Sequence, residues 1–335
     1  MLKPVVQEAD PPCSSRSSRR PTLHACKGVV ILCVMRFWPR WFPHPALVVV
    51  VVAWGLNFSI IKVILDELQP SVVALVRYVV MLPTMWLWCK VLRIELKYPP
   101  GQRWKFLFAG CMANGVYMVF FLEGMETASA AQGAILVATM PIWIALLSIF
   151  LKLEKFSAHL AVGILLAFAG AAMTILAEGK GGGGSVLGSV LVLVAAFIWA
   201  VSVILMRPLV VEGSPFAVFT LTFPGGALVL LPYGAAATWN TDWSSVTPLV
   251  WWFLAYLIFI AGVGAFGAYF KGIAEVGPTK TSMTQFFIPP VAALFAWSVF
   301  GQALLPMQVV GLVVVIAGSL VASGRVFGGR VAGSG

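Results

Sequence analysis

Of the 335 residues, 60% are hydrophobic and only 10% charged, with a formal net charge of +10. An ordinary soluble domain carries about 25% charged residues, so a chain surrounded on all sides by water is excluded. Nor does the positive excess point to a nucleic-acid partner, because it is spread through short segments between apolar runs instead of forming one basic face.

Residues 1–45 form a basic tail rich in Pro, Ser and Arg, expected to be disordered. Its apolar run Val29 to Val34 is too short to span a bilayer, and no small-residue cleavage site marks it as a signal peptide. Met35 is an alternative start, since Met35 to Pro45 leads straight into the first apolar run. From there ten runs of helix-spanning length follow, at 46–65, 70–90, 104–122, 128–150, 159–177, 186–206, 215–233, 248–270, 279–300 and 305–323. They lack the alternation of barrel strands, and a helix satisfies its own backbone in lipid, so an all-α membrane protein of ten transmembrane helices is expected.

In the first run, Trp54, Asn57 and Lys62 fall within an arc of roughly 140° at about 100° per residue. An amide facing lipid is costly, so Asn57 should face the bundle interior, where it either binds a substrate or bonds a neighbouring helix. Lys62, near the helix end, reads as a snorkelling cation. Arg77 lies seven residues beyond Pro70, about 10 Å inside the second helix. A guanidinium at depth costs about 2.5 to 3.5 kcal/mol and usually faces a partner or a wet cavity. It therefore marks a site for an anionic group, or else pairs with helix-end carbonyls or Glu123. Tyr117, Gln132, Trp199, Ser202, Tyr269 and Gln285 add hydrogen-bonding and aromatic groups inside the spans, either lining a site or anchoring the core.

No acidic residue falls at a helix centre. Glu123, Glu126 and Glu275 sit near predicted ends and read as solvated loop acids, with coupling groups at cavity mouths as the alternative. Pro83, Pro141, Pro224, Pro289 and Pro290 lie within spans, where each removes a backbone bond and permits a bend. Four glycines, Gly181 to Gly184, make 178–185 a flexible linker; no Lys-Ser/Thr pair follows to complete a phosphate cradle. Cys13, Cys26, Cys33, Cys89 and Cys111 show neither metal spacing nor a disulfide framework, and no cofactor is expected. HExxH, GxSxG and paired carboxylates within spans are absent, and His24, His44 and His159 lie in the tail or near helix ends, which disfavours a membrane-embedded enzyme.

The chain repeats its landmarks. Trp54, Lys62 and Pro70 return 145 residues later as Trp199, Arg207 and Pro215, while Pro141, Glu154, Gly163 and Gly170 return after 148 as Pro289, Gln302, Gly311 and Gly318. Arg77 has Thr222 as its counterpart. Five helices per unit, at 46–177 and 186–323, force the second copy to lie upside down relative to the first, with 324–335 as a C-terminal tail. Charge gives the orientation. Lys90, Arg93, Lys97, Arg103, Lys105, Lys152, Lys155, Arg207, Lys271, Lys280, Arg325 and Arg330 fall on one side and Lys180 on the other, so both termini are expected in the cytoplasm of a bacterial cell. The seven-residue glycine spacings read as helix packing.

Trp54-Gly-Leu-Asn-Phe with Lys62, Pro70 followed by Arg77, and the series Pro141, Glu154, Gly170 resemble the EamA domains of the drug/metabolite transporter superfamily over residues 46–323. The resemblance implies two inverted five-helix repeats around a central cavity, and export of amino acids or related metabolites. It also implies a Glu at the end of each fourth helix, which Glu154 satisfies and Gln302 does not. Lys62, Pro141, Glu154, Pro289 and Gln302 are read as gating or packing positions. The expected function is secondary transport of a small zwitterionic or anionic substrate by alternating access, the partners being that substrate and the lipid bilayer; a channel-like facilitator or an embedded enzyme is the alternative.

Overall fold

The computed structural model describes residues 45–153, 158–178, 185–210, 214–276, 281, 284–301 and 305–322. Among them there is no strand. The helices are α1 (Pro45–Leu65), α2 (Pro70–Val91), α3 (Arg103–Thr127), α4 (Ala130–Phe150, interrupted at 138–139), α5 (Ala158–Glu178), α6 (Val186–Val210), α7 (Pro215–Asn240), α8 (248–276), α9 (Ile288–Phe300, entered by a 3-10 turn at Thr284–Phe287) and α10 (Pro306–Ala322). Seven helical stretches are long and apolar enough to cross a membrane, and three shorter apolar ones, Ala158–Thr174, Gln285–Ser298 and Pro306–Gly318, accompany them. Leu165, Leu187 and Leu228 are exposed on the outside of the bundle, where acyl chains would be as apolar as they are.

Proline places several of these starts. Pro70, Pro215 and Pro248 each occupy the first turn of a helix, where the missing N–H has no intrahelical role. The ends differ from the expected ones in two places. Helix α3 runs on to Thr127, which puts Glu123 and Glu126 in a helix and not in a loop. Helix α7 continues to Asn240, which shortens the expected 234–247 loop to 241–247.

Each third helix contains a wide-turn π stretch, and the two stretches explain why two repeat offsets exist. Before it, Arg103 and Pro248 open their helices 145 residues apart; after it, Tyr117 and Ala265 resume the α-helix 148 apart. The first π stretch, Cys111–Val116, has 6 residues and the second, Tyr256–Gly264, has 9. The three added residues are absorbed there.

Packing between the halves comes in matched sets. Helix α1 packs against α8 and α9 as α6 packs against α3 and α4, and α2 meets α8 as α7 meets α3. Equivalent helices also meet each other. A Cβ on Gly170 would lie 2.6 Å from the Gly311 carbonyl oxygen, and one on Gly318 2.7 Å from that of Gly163. Only glycine allows α5 and α10 this approach, and the order of the contacts makes the two helices antiparallel. Helices α2 and α7 are antiparallel too: Ser71, Tyr78 and Cys89 in ascending order meet Gly234, Phe223 and Thr220 in descending order.

Helix α7 carries Pro224 in its interior, where proline leaves the carbonyl four residues earlier, that of Thr220, without its backbone donor. Around this position neighbouring segments add bonds to α7 carbonyls: Tyr98 donates to that of Leu221 at 3.0 Å, Tyr78 to that of Phe223, and Cys111 Sγ to that of Gly225 at 3.1 Å.

Candidate functional site

Helix α1 carries the polar residues toward two aromatic clusters. On one side Trp54 Nε1 donates to the Ala261 carbonyl at 3.0 Å, an oxygen of the second π stretch. Its ring lies 5.2 Å from Phe266 and 5.4 Å from Tyr269, and Gln285 Nε2 donates to the Tyr269 hydroxyl at 3.3 Å. Further along α1, Phe58 packs edge-on against Phe121 at 6.0 Å. Phe121 stacks on Tyr117 at 5.6 Å, and Tyr117 meets Trp199 of α6 at 5.1 Å. Asn57 sits between the Trp54 and Phe58 contacts, 9% exposed, with no partner for Oδ1.

Arg77 lies on α2, which packs against the part of α3 that carries Tyr117. Helix α2 holds it 8% exposed, within electrostatic range of Tyr117, and Nε has no hydrogen-bond partner. Among the described residues no hydrogen bond joins it to Glu123 or to a helix-end carbonyl, the two structural partners expected of it. Glu123 instead accepts a hydrogen bond from the Tyr233 hydroxyl of α7. Leaving a buried charged donor unpaired is among the costliest arrangements a fold tolerates, which makes Arg77 the sharpest polar feature of the bundle.

The repeat counterparts of these groups are quiet. Ser202, 145 residues after Asn57, is 0% exposed and donates to the Trp199 carbonyl of its own helix at 2.7 Å. Thr222, the counterpart of Arg77, donates to the Phe219 carbonyl at 2.6 Å and accepts from Asn114 Nδ2 at 3.1 Å. Open bonding capacity is thus concentrated in the first half, while the second half satisfies the same positions locally.

The remaining expected residues take other roles. Gln132 is fully buried at the start of α4, where Nε2 ties that helix to the Thr174 carbonyl of α5 at 3.1 Å, while Oε1 has no partner. Lys62 does not snorkel to water alone: Nζ donates to the Met125 and Glu126 carbonyls at 3.1 and 2.9 Å, capping the end of α3. Pro141 and Pro289 do not kink helices from within. They occupy the first turns after the interruptions, at Met140–Phe150 and Ile288–Phe300. Glu154 and Gln302 lie outside the described residues. Asn114, in the first π stretch and 7% exposed, escaped the sequence reading although it is an amide in an apolar span, the same signal that singled out Asn57.

Among the described residues no group of three His, Cys, Asp or Glu side chains is placed to hold a metal ion. A surface cavity of about 400 Å³ opens at the loop ends, lined by Glu67, Gln69, Asn240, Asp242 and Ser245. It lies apart from the aromatic clusters.

The profile of the EamA-like transporter family matches residues 42–176 and 186–324. A protein of Salmonella typhimurium named a probable amino-acid metabolite efflux pump is 25% identical over 84% of this chain and 94% of its own. A probable terminal-alkyne amino-acid exporter of Streptantibioticus cattleyicolor is also 25% identical, over 85% of this chain and 94% of its own. An uncharacterized transporter of Archaeoglobus fulgidus is 24% identical over 82% of this chain and 95% of its own. A solved crystal structure with 18% identity superposes with a TM-score of 0.58, covering 83% of this chain and 95% of the other, and so shares the fold.

Proposed function

Because the chain belongs to the EamA-like transporter family, and is thereby an integral membrane transporter of a small molecule, we propose that it exports an amino acid or a related zwitterionic or anionic metabolite by alternating access. The single observation that carries this reading is Arg77: a guanidinium side chain 8% exposed on α2, whose buried Nε has no hydrogen-bond partner. A carboxylate entering there would supply the missing acceptor, and charge-assisted pairing with a guanidinium is stronger than a neutral bond. Asn57 offers the complementary unpaired acceptor, Oδ1, to a substrate ammonium. Tyr117, Trp199, Trp54 and Tyr269 form the apolar walls, with Gln285 holding the Tyr269 hydroxyl. Ser202 and Gln132 belong to the supporting frame.

The mechanical part follows from the repeats. Ten spans in two inverted units, 46–177 and 186–323, account for the antiparallel meeting of α5 with α10 and of α2 with α7. Such halves exchange conformations around a fixed central site. Breaks at 138–139 and in the turn Thr284–Phe287, each followed by a proline, supply places to bend. Lys90, Arg93, Lys97, Arg103, Lys105, Arg207 and Lys271 share one end of the bundle, which supports cytoplasmic termini and residence in a bacterial inner membrane. The names of the two exporter-like relatives support the outward direction.

The test is counterflow of a radiolabelled amino-acid mixture into proteoliposomes preloaded with the unlabelled mixture. Saturable counterflow is expected of the native protein, and its loss of at least about tenfold in Arg77→Ala, with an unchanged elution profile. Non-saturable flux would indicate a channel, and an unaffected variant would remove Arg77 from the site.

A further inference from the structure

Among the described side chains, Glu123 is the only acidic residue that is not exposed. It lies on α3, in the first half, and accepts the hydroxyl of Tyr233 on α7, in the second. The contact therefore bridges the halves, at the end of the bundle remote from the basic loops. Its repeat equivalent cannot do the same. Past the π stretch the offset is 148, which aligns Glu123-Gly124 with Lys271-Gly272, and Tyr233 aligns with Trp88 at 145. Lys271 is exposed and pairs with Glu275 of its own helix at 3.9 Å. A titratable bridge thus joins the halves at one end of the bundle, and among the described residues its repeat-related position at the other end forms none.

We infer that Glu123 is the binding site of a coupling proton, taken up from the outer side, whose arrival loosens α3 from α7. This deepens the transport reading above and rests on it. The proton passes from hydronium in the outer water to a carboxylate oxygen of Glu123, and Tyr233 keeps its own. A hydroxyl bound to a carboxylate makes a charge-assisted bond, and bound to a neutral carboxyl an ordinary one about half as strong. Protonation thus weakens the bridge at the moment when inverted halves must part on that side. The elements packed against α3 carry few charged groups: α1 brings Lys62, bonded to the carbonyls of Met125 and Glu126, and α2 carries Arg77, while Glu126 lies on α3 itself. Tyr233 comes from α7, α4 has no titratable side chain, and α6 carries only Arg207 at its far end.

The experiment uses the full chain in proteoliposomes and the radiolabelled amino-acid mixture as probe, with and without an imposed pH gradient. For the native protein an acidic interior should raise uptake about tenfold over counterflow alone. Glu123→Gln should keep counterflow and lose the gradient-driven increment, and Tyr233→Phe should keep the increment with a shifted pH midpoint. Gradient-driven uptake that persists in Glu123→Gln, or a native protein indifferent to the gradient, overturns the proposal. If Glu123→Gln also loses counterflow, Glu123→Asp decides: a shifted pH midpoint supports the site and an unmoved one overturns it. Absence of counterflow in the native protein would overturn the transport reading itself, and the coupling site with it.

Discussion

Tyr78 and Phe223 occupy the same position of the duplicated unit, 145 residues apart, and they touch: their rings stack at 5.6 Å and the Tyr78 hydroxyl bonds the Phe223 carbonyl. A residue meets its own counterpart only beside a two-fold axis, so the axis relating the halves passes between α2 and α7. Tyr78→Phe keeps the stack and removes the hydrogen bond that ties α2 to α7 here. A loss of about 0.5 to 1.5 kcal/mol is expected, read as a drop in melting temperature of the detergent-solubilised protein; no drop would show that the bond contributes nothing.

Arg77 should trade stability for activity. Replacing a guanidinium whose buried Nε has no partner by an apolar chain of similar length relieves its desolvation, and unpaired charges in the bilayer centre cost about 2.5 to 3.5 kcal/mol on insertion scales. Arg77→Met is expected to raise the melting temperature while abolishing counterflow. A variant that is both inactive and less stable would mean that Arg77 holds the fold together.

The α5–α10 seam depends on absent side chains. Gly170→Val brings atoms to within 2.6 Å of the Gly311 carbonyl oxygen and must push the helices apart, at a cost of about 1 to 3 kcal/mol. The symmetric change Gly318→Val should cost a similar amount against Gly163. Thermal denaturation of both variants checks the equivalence, and a large difference between them would mean that the seam is not two-fold.

Asp242 gives the 241–247 loop a pH response. Its carboxylate accepts the Ser244 hydroxyl at 2.6 Å and amide at 3.0 Å, and these bonds hold its pKa below the usual carboxylate value, the hydroxyl contributing most. A depressed folded pKa means that the order it confers is complete above the unfolded value of about 3.9 and lost as pH falls through the lower folded one. Amide exchange at Ser244 and Ser245 should therefore stay slow down to about pH 4 and quicken below it. Asp242→Asn should abolish that step, and a step retained in the variant would locate the response elsewhere.

The apolar runs and the duplication were legible in the sequence because lipid imposes a length on helices and duplication leaves fixed offsets. Arg77 and Asn57 stood out for a related reason, since a polar group in an apolar span is expensive and must face inward. What the sequence hid was pairing. Lys62 looks like a snorkelling cation until the end of α3 is seen beside it, and Glu123 looks like a loop acid until α3 is seen to continue to Thr127. The local satisfaction of Ser202 and Thr222 is likewise invisible in a chain of letters, because it depends on backbone carbonyls one turn away.

The unequal π stretches show how a membrane helix can grow without being rethreaded. Three extra residues inserted into an ordinary helix would turn everything beyond them by about 300° and lengthen the span, sending Tyr269 and Gly272 away from their neighbours. Widened turns take up the surplus, and the aromatic ring that Phe121 provides in one copy still meets the bundle as Tyr269 in the other. Two halves that began identical were thereby free to drift in length while their walls stayed aligned.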